Sequence, residues 1–120
     1  MENKKTLVIG ASEKPERYSN KAIRSLSQKG HEVIALAKRS GQVDGIKIST
    51  EFPKELVDTV TMYVGPQRQS EYYDEILNLS PQRVIFNPGT ENSEFIKKLE
   101  ERGIEAIEAC TLVMLSIGNY

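Results

Sequence analysis

The sequence has few of the features that cross-link small proteins covalently or anchor a chain in a membrane. It contains one cysteine, Cys110, so no intrachain disulfide can form. No apolar run approaches the roughly 20 residues that a membrane-spanning helix needs. The N-terminal letters MENKK lead directly into a short apolar run, without the hydrophobic region of a signal peptide. These absences predict a soluble, cytoplasmic protein with no membrane partner.

The sequence also has a small net charge and a single histidine. The 16 Lys and Arg residues nearly balance the 17 Asp and Glu residues, and the formal net charge is -1. A general nucleic-acid-binding domain is normally clearly basic, so we expect no nucleic-acid partner. With one histidine, His31, and one cysteine, the chain has no His/Cys cluster for a transition metal. No metal ligand is therefore predicted.

What remains is the composition of an ordinary globular protein. The 120 residues suit a single domain, residues 1–120, with one hydrophobic core. Short apolar runs alternate with segments in which apolar residues recur at helical spacing. Strands are predicted at residues 6–9, 33–37, 59–64, 83–86 and 104–107. Helices are predicted at residues 19–29, 66–77, 92–103 and 111–117.

Alternating strands and helices predict an α/β fold, a single Rossmann-like doubly wound parallel sheet of about five strands with helices on both faces. Residues 41–48 are polar and turn-rich, with a short edge strand expected near 46–48. Residues 53–57 are predicted to form one or two helical turns. Ligands of such sheets bind beyond the carboxyl ends of the strands, where the strand order reverses. The loops that follow the strands are therefore where a site is expected.

The loop after the first strand, in LVIGASEKPERYSN, favours a nucleotide. Gly10 permits a sharp turn and a close backbone approach to a ligand, and Ala11 and Ser12 keep the turn small. The next helix begins near Ser19 and Asn20, where free backbone N–H groups favour an anion. The pattern G-x-G-x-x-G needs two more glycines, and the insert EKPERY separates turn from helix. An NAD pyrophosphate is therefore disfavoured, and a turn without any ligand is the alternative.

The loop after the second strand is basic. It reads ALAKR, whereas NAD-binding folds place an acidic residue there for the ribose hydroxyls. Lys38 and Arg39 instead suit a phosphorylated ribose, as in coenzyme A (CoA) or NADP. A solvated basic pair at the start of a loop is the alternative interpretation.

Three later loops supply weaker candidates. Gly65 would let an adenine or pantetheine group lie across the backbone, although Pro66 equally fits the first position of a helix. Asn87 can bind a ligand amide or form an Asx turn. Cys110 follows the last strand, but the only histidine, His31, lies at the opposite edge of the predicted sheet. A Cys-His nucleophile is therefore disfavoured, a buried inert cysteine is expected, and no catalytic residue is predicted.

The order of these segments resembles a known family. VIGAS, the insert KPERYSN, KGHEVIAL, the pair KR, a strand ending near VGP, RVIFNPG and GIEAIEACTLVML cover nearly the whole chain. Together they resemble the small bacterial CoA-binding proteins, stand-alone domains similar to the CoA-binding domain of the succinyl-CoA synthetase α subunit. The resemblance implies three contact regions. The CoA diphosphate lies near Gly10, Ala11, Ser12, Ser19 and Asn20, the phosphorylated ribose near Lys38 and Arg39, and the adenine or its linker beside Val64, Gly65 and Pro66.

Two segments depart from the family pattern. Many relatives have asparagine-proline after the second strand, where this chain has AKR at residues 37–39. Many also have glutamine-leucine-glycine where this chain has NPG at residues 87–89. These departures bear on the path of the pantetheine arm and on any acyl preference.

These features predict a stand-alone protein that binds CoA or an acyl-CoA without chemistry of its own, as a carrier, a sensor or a partner module. The alternative is an NADP-binding oxidoreductase or redox-sensing domain, although 120 residues leave little room for the usual substrate domain. A receiver-like signalling domain is rejected, because the first and third strands do not end in acidic residues. A homodimer or an unidentified protein partner is compatible with the sequence.

Overall fold

The computed structural model describes residues 2–120, which form a mostly parallel sheet between two layers of helices. In chain order the elements are β1 (Thr6–Ile9), α1 (Tyr18–Gln28), β2 (Val33–Leu36), β3 (Gly41–Val43), β4 (Ile46–Ser49), β5 (Thr59–Met62), a 3₁₀ helix (Pro66–Tyr72), α2 (Tyr73–Leu79), β6 (Arg83–Phe86), α3 (Ser93–Glu101), β7 (Glu105–Glu108) and α4 (Thr111–Ser116). The predicted α/β class and the five predicted parallel strands are confirmed, with boundaries that shift by one or two residues.

The strand order is β3-β4-β2-β1-β5-β6-β7, and it reverses between β1 and β5. From β1 the chain builds outward through β2 and β4, and it then returns to pair β5 with the free side of β1. Helices α1 and α4 pack on one face, whereas α2 and α3 pack on the other. The chain therefore leaves β1 and β5 toward opposite faces, which opens a cleft between the two loops at the carboxyl edge.

The two faces of the sheet differ in polarity. On the α2/α3 face the inward strand residues are apolar, and Leu7, Ile9 and Met62 are fully buried. Each such side chain contributes roughly 1.5–3 kcal/mol through burial. On the α1/α4 face, apolar Val8 and Ile85 share the interior with polar side chains. The buried polar residues on this face include Thr6, Thr59, Thr61 and Arg83.

The sheet formed by residues 2–120 has seven strands, so the expectation of about five was wrong. The short strand expected near residues 46–48 is β4, and the unforeseen part is β3, which pairs antiparallel with β4 to form a hairpin at the edge of the sheet. Asp44 and Gly45 at its tip have φ angles of 49° and 82°. A two-residue type I′ hairpin turn needs positive φ at both positions, and Asp-Gly favours it. Strand β4 pairs parallel with β2 and so extends the parallel part of the sheet. The connection from β2 to β4 contains the short strand β3 and no helix.

The predicted helical turns at residues 53–57 were also wrong, because that segment is irregular. It connects the end of β4 to the start of β5 at the opposite edge, and β2 and β1 lie between those strands. A helix rises about 1.5 Å per residue, less than half the rise of extended chain, so a helical segment would fall short. Pro53 also disfavours helical backbone at Phe52.

No helix within residues 2–120 is long and apolar enough to cross a membrane.

Candidate functional site

A cleft of about 420 Å³ lies at the carboxyl edge of the sheet, where the strand order reverses. Its volume falls in the range of small-molecule sites. The loops after β1, β2, β5 and β6 form its walls. The predicted site residues that line it are Gly10, Ala11, Ser12, Ser19, Lys38, Val64 and Gly65.

Gly10 brings the ends of β1 and β5 close together. Its φ is 94°, a conformation that L side chains rarely adopt. A Cβ at this position would lie 3.0 Å from the carbonyl carbon and oxygen of Tyr63 and 3.1 Å from a methyl group of Val64. The glycine is therefore required both by backbone conformation and by the approach of the neighbouring strand. At Gly10 the cleft is therefore lined by backbone atoms without a side chain.

The N-terminus of α1 opens into this cleft with free backbone donors. The first amide bonded in the helical pattern is that of Lys21, which donates to the Arg17 carbonyl at 3.1 Å. No side chain of the described residues caps the helix at Arg17. Tyr18 and Ser19, whose N–H groups precede the first helical bond, line the cleft. With the helix dipole, these donors favour an anion at this end of the cleft.

Asn20 supports the turn rather than facing the cleft. Its side-chain amide donates to the Ser12 carbonyl at 2.9 Å, and its oxygen accepts from Arg24 Nε at 2.7 Å. Arg24 also donates to the Pro15 carbonyl at 3.1 Å. The unusual insert after Gly10 is thereby tied to α1, so Asn20 fixes the shape of the anion-favouring turn.

A basic groove of about 510 Å³ continues from the cleft past the end of β2 and shares part of its lining. Arg39 lies in this groove and not in the main cleft. We use the name basic groove for the region whose cationic side chains are Lys14, Arg17, Lys38, Arg39 and Arg68. The single carboxylate of its lining, Glu13, accepts a hydrogen bond from the Gln42 backbone N–H at 2.9 Å. This groove is the most positive part of the carboxyl edge that the structure describes.

An acidic groove of about 510 Å³ lies on the other side of Lys38. Its charged lining is Glu51, Glu71 and Glu75 with Lys38, and its aromatic lining is Phe52 and Tyr72. Lys38 Nζ lies 2.6 Å from Glu71 Oε1, and this hydrogen bond raises the pKa of Lys38 above its ordinary value. Lys38 therefore stays charged at the boundary between the two grooves.

Tyr63 forms part of the wall beside Gly10. Burial raises its pKa well above the ordinary value, and hydrogen bonds to Thr111 and Thr61 partly offset that effect. The phenol consequently stays protonated at neutral pH. Tyr63 therefore supplies no base to the cleft.

Like Asn20 and Arg39, the predicted residues Pro66 and Asn87 lie outside the lining of the main cleft. Pro66 begins the 3₁₀ helix, as its fixed φ allows. Asn87 is buried and its amide is engaged within the protein. It donates to Thr61 Oγ1 at 2.7 Å and to the Met62 carbonyl at 2.9 Å, and it accepts from the Thr111 backbone N–H at 2.9 Å. Asn87 therefore joins β5, β6 and α4.

Cys110 and His31 stay apart. Cys110 is half-buried at the start of α4, rather than fully buried as expected, and it does not line the main cleft. His31 is buried at the opposite edge, where its Nδ1 accepts from the Lys4 backbone N–H at 2.9 Å. Within residues 2–120, no group of three or more His, Cys, Asp or Glu residues is placed to hold a metal ion.

Several lining residues were not singled out from the sequence. Arg17 and Arg68 belong to loops that the strand pattern already assigned to this edge, and their charge is the signal that would have found them. Tyr63, Tyr72 and Thr90 carry no such signal. Their position depends on which loops the sheet brings together.

Residues 4–116 match the model of a family described as a CoA binding domain. The chain belongs to this CoA binding domain family. The resemblance drawn from the sequence motifs is thereby confirmed. The matched residues include every strand of the sheet.

Solved structures share this CoA binding domain architecture over most of the chain. A crystal structure of an uncharacterized protein has 48% sequence identity, covers 100% of both chains and gives a TM-score of 0.97. A hypothetical protein from Pyrococcus horikoshii OT3 has 27% identity over 96% of this chain and 83% of its own, with a TM-score of 0.86. A protein from Thermus thermophilus has 25% identity over 98% and 91%, with a TM-score of 0.85. No curated protein matches the chain.

Proposed function

We propose that this CoA binding domain binds CoA or an acyl-CoA as a stand-alone carrier, sensor or partner module. The observation that carries the proposal is the open N-terminus of α1 beside the basic groove. CoA carries a diphosphate and a separate ribose phosphate, and these need two neighbouring anion-binding regions. The carboxyl edge offers both regions, and they share the lining residues Ser12 and Arg17.

The residues present fit the phosphate groups. The diphosphate would be held by the turn at Gly10 to Ser12 and by the first amides of α1, with Arg17 supplying positive charge. The ribose phosphate would be held by Lys38 and Arg39 in the basic groove, where Arg68 adds a third cation.

The remainder of the ligand would meet the other walls of the cleft. Tyr63, Val64 and Gly65, which follow β5, line the cleft and offer apolar and backbone surface. The bare backbone at Gly10 lets a ligand approach the sheet edge closely.

We propose no catalytic residue in this site. Among the described residues, the lining of the main cleft contains neither histidine nor cysteine, and its carboxylate, Glu71, bonds Lys38. Tyr63 stays protonated and is a poor base. General acid-base or nucleophilic chemistry would need a group with a pKa nearer the working pH.

Thermal unfolding with CoA, acetyl-CoA, dephospho-CoA, NAD and NADP tests the proposal. A ligand at 100 times its dissociation constant stabilises the fold by about 2.7 kcal/mol. CoA should raise the melting temperature and NAD should not, because the turn has one glycine and the loop after β2 is basic. Stabilisation by NAD alone would overturn the proposal, whereas stabilisation by NADP without CoA would favour the oxidoreductase or redox-sensing alternative.

A further inference from the structure

The ion pair between Lys38 and Glu71 joins two parts of the site. Lys38 follows β2, and Glu71 lies in the 3₁₀ helix that follows β5. The two charged atoms are 2.6 Å apart, and the side chains are 64% and 47% exposed. An ion pair this exposed contributes little to stability and is easily exchanged for another partner. Glu71 therefore competes with any anionic ligand that reaches Lys38.

Glu71 also stands at a boundary of charge. It lines both the main cleft and the acidic groove, whereas Lys38 lines these two and the basic groove. On the acidic side, Glu51 and Glu75 would repel a phosphate. On the basic side, Arg39 and Arg68 would attract one. A ligand phosphate placed by electrostatics alone would meet Lys38 from the basic side, while Glu71 holds the same ammonium group from the other side.

We propose that Glu71 is a specificity-determining residue, an internal carboxylate that competes with the ribose phosphate for Lys38 and keeps phosphate out of the acidic groove. The inference rests on the proposed binding of CoA, and it goes further by assigning a role to a residue that opposes binding. Binding of the phosphorylated ribose then requires Lys38 to leave Glu71, or to share its ammonium donors between the carboxylate and the phosphate. The domain consequently holds CoA less tightly than its cations alone would allow.

The test measures affinities of CoA and dephospho-CoA by calorimetry for the parent protein, Glu71→Gln and Glu75→Gln. Removing one like charge about 4–6 Å from a phosphate in water is worth about 3- to 6-fold in affinity. Glu71→Gln should therefore bind CoA about 3- to 6-fold more tightly, with little change for dephospho-CoA. Glu75→Gln is the matched control, because Glu75 is exposed on the same groove and carries the same charge. It should change either affinity much less.

Three results would overturn the inference. These are weaker or unchanged binding of CoA by Glu71→Gln, equal gains for CoA and dephospho-CoA, and an equal gain in Glu75→Gln. Weaker binding would mean that Glu71 orients Lys38 for the ligand. If the parent protein binds neither CoA nor dephospho-CoA, the proposed function itself fails, which is a separate result. Melting temperatures of the unliganded variants show whether the exposed substitutions leave the fold intact.

Discussion

The two edges of the sheet use similar side chains in opposite ways. At the carboxyl edge, Arg17, Arg39 and Arg68 are exposed around a cleft. At the amino edge, Arg83 is buried over the ring of Tyr120, with its guanidinium carbon 4.5 Å from the ring centroid. Cations of the same type thus face solvent at one edge and the protein interior at the other.

The amino edge is closed by mutual contacts. The Tyr120 hydroxyl bonds Thr6 Oγ1, Lys4 Nζ donates to the Tyr120 carbonyl at 2.7 Å, and the His31 ring lies 4.9 Å from the Tyr120 ring. Arg83 Nε donates to Thr59 Oγ1 at 2.8 Å. The amino edge therefore serves stability, whereas the carboxyl edge keeps cations and helix amides available for a ligand. Substitutions at the two edges should separate these roles.

The largest loss of stability is expected at Tyr120. The residue is only 6% exposed, and its ring contacts Arg83 and His31. Tyr120→Ala should lower the free energy of unfolding by about 3–5 kcal/mol, as large aromatic truncations in cores do. Tyr120→Phe keeps the ring, loses the bond to Thr6, and should cost only about 1 kcal/mol. Urea unfolding measures both values.

The affinity of Tyr120→Phe for CoA tests whether the amino edge takes part in binding. Tyr120→Phe should bind CoA as the parent protein does, because Tyr120 lies at the edge opposite the cleft. A clear change in its affinity would show that the two edges are coupled, and the division of roles would be wrong.

A smaller loss of stability, with a loss of binding, is expected for Gly10→Ala. Positive φ at a non-glycine residue costs about 1–3 kcal/mol, and here the new Cβ also meets backbone of Tyr63 at 3.0 Å. Gly30→Ala is the matched control, because Gly30 has a φ of 88° with open space around a Cβ and lies at the amino edge. Gly30→Ala should lose stability without losing affinity for CoA. Equal affinities in the two variants would show that the approach at Gly10 does not shape the site.

Much of the fold could be predicted because its main signals are local. The strand at residues 59–62 consists of β-branched and apolar residues, and Gly103 ends the helix before β7. Asp44 and Gly45 carried a local hairpin signal that short, polar flanks obscured. The other error arose where tertiary structure decides. The extended path of residues 53–57 follows from the separation of β4 and β5, which no local pattern reveals.

The lining of the cleft could be predicted only where a backbone conformation or a charge marks a residue. Gly10 and the basic pair after β2 were singled out because sharp turns and phosphates have known chemical requirements, and the structure places Gly10 and Lys38 in the cleft and Arg39 in the basic groove. Asn87 illustrates the limit, because its three partners lie in β5 and at the start of α4. An amide at a sheet edge looks the same in sequence whether it bonds a ligand or its own protein. The ion pair of Lys38 and Glu71 likewise joins residues 33 positions apart.

An effect on affinity without an effect on stability is expected at the basic pair. Changing Lys38 and Arg39 together to alanine should weaken CoA by at least about 10-fold, since each forms a charge-assisted bond to phosphate in the proposed complex. Dephospho-CoA should weaken much less. Both residues are exposed, so the melting temperature of the unliganded protein should stay near that of the parent. Equal losses for the two ligands would show that the pair does not bind the ribose phosphate.

The smallest effect concerns pH at the amino edge. Burial, the largest cause, together with the charges of Lys4 and Arg83, lowers the pKa of His31, while Asp58 partly opposes the shift. The neutral ring is also the form that accepts the Lys4 backbone N–H at Nδ1. In the unfolded chain His31 takes up a proton near pH 6.5, whereas the folded protein takes it up only at lower pH. The stability contribution is therefore present above about pH 6.5 and is lost as the pH falls toward the folded pKa.

Because His31 is the only histidine of the chain, this titration can be isolated. The free energy of unfolding should fall between pH 7 and pH 5 more steeply in the parent protein than in His31→Gln, which does not titrate there. NMR titration of the His31 ring measures the folded pKa directly. A pKa at or above its ordinary value, or equal pH slopes in the two proteins, would contradict the expectation. The ratio of CoA affinities of parent and variant should stay constant over the same range, because His31 lies at the edge that serves stability.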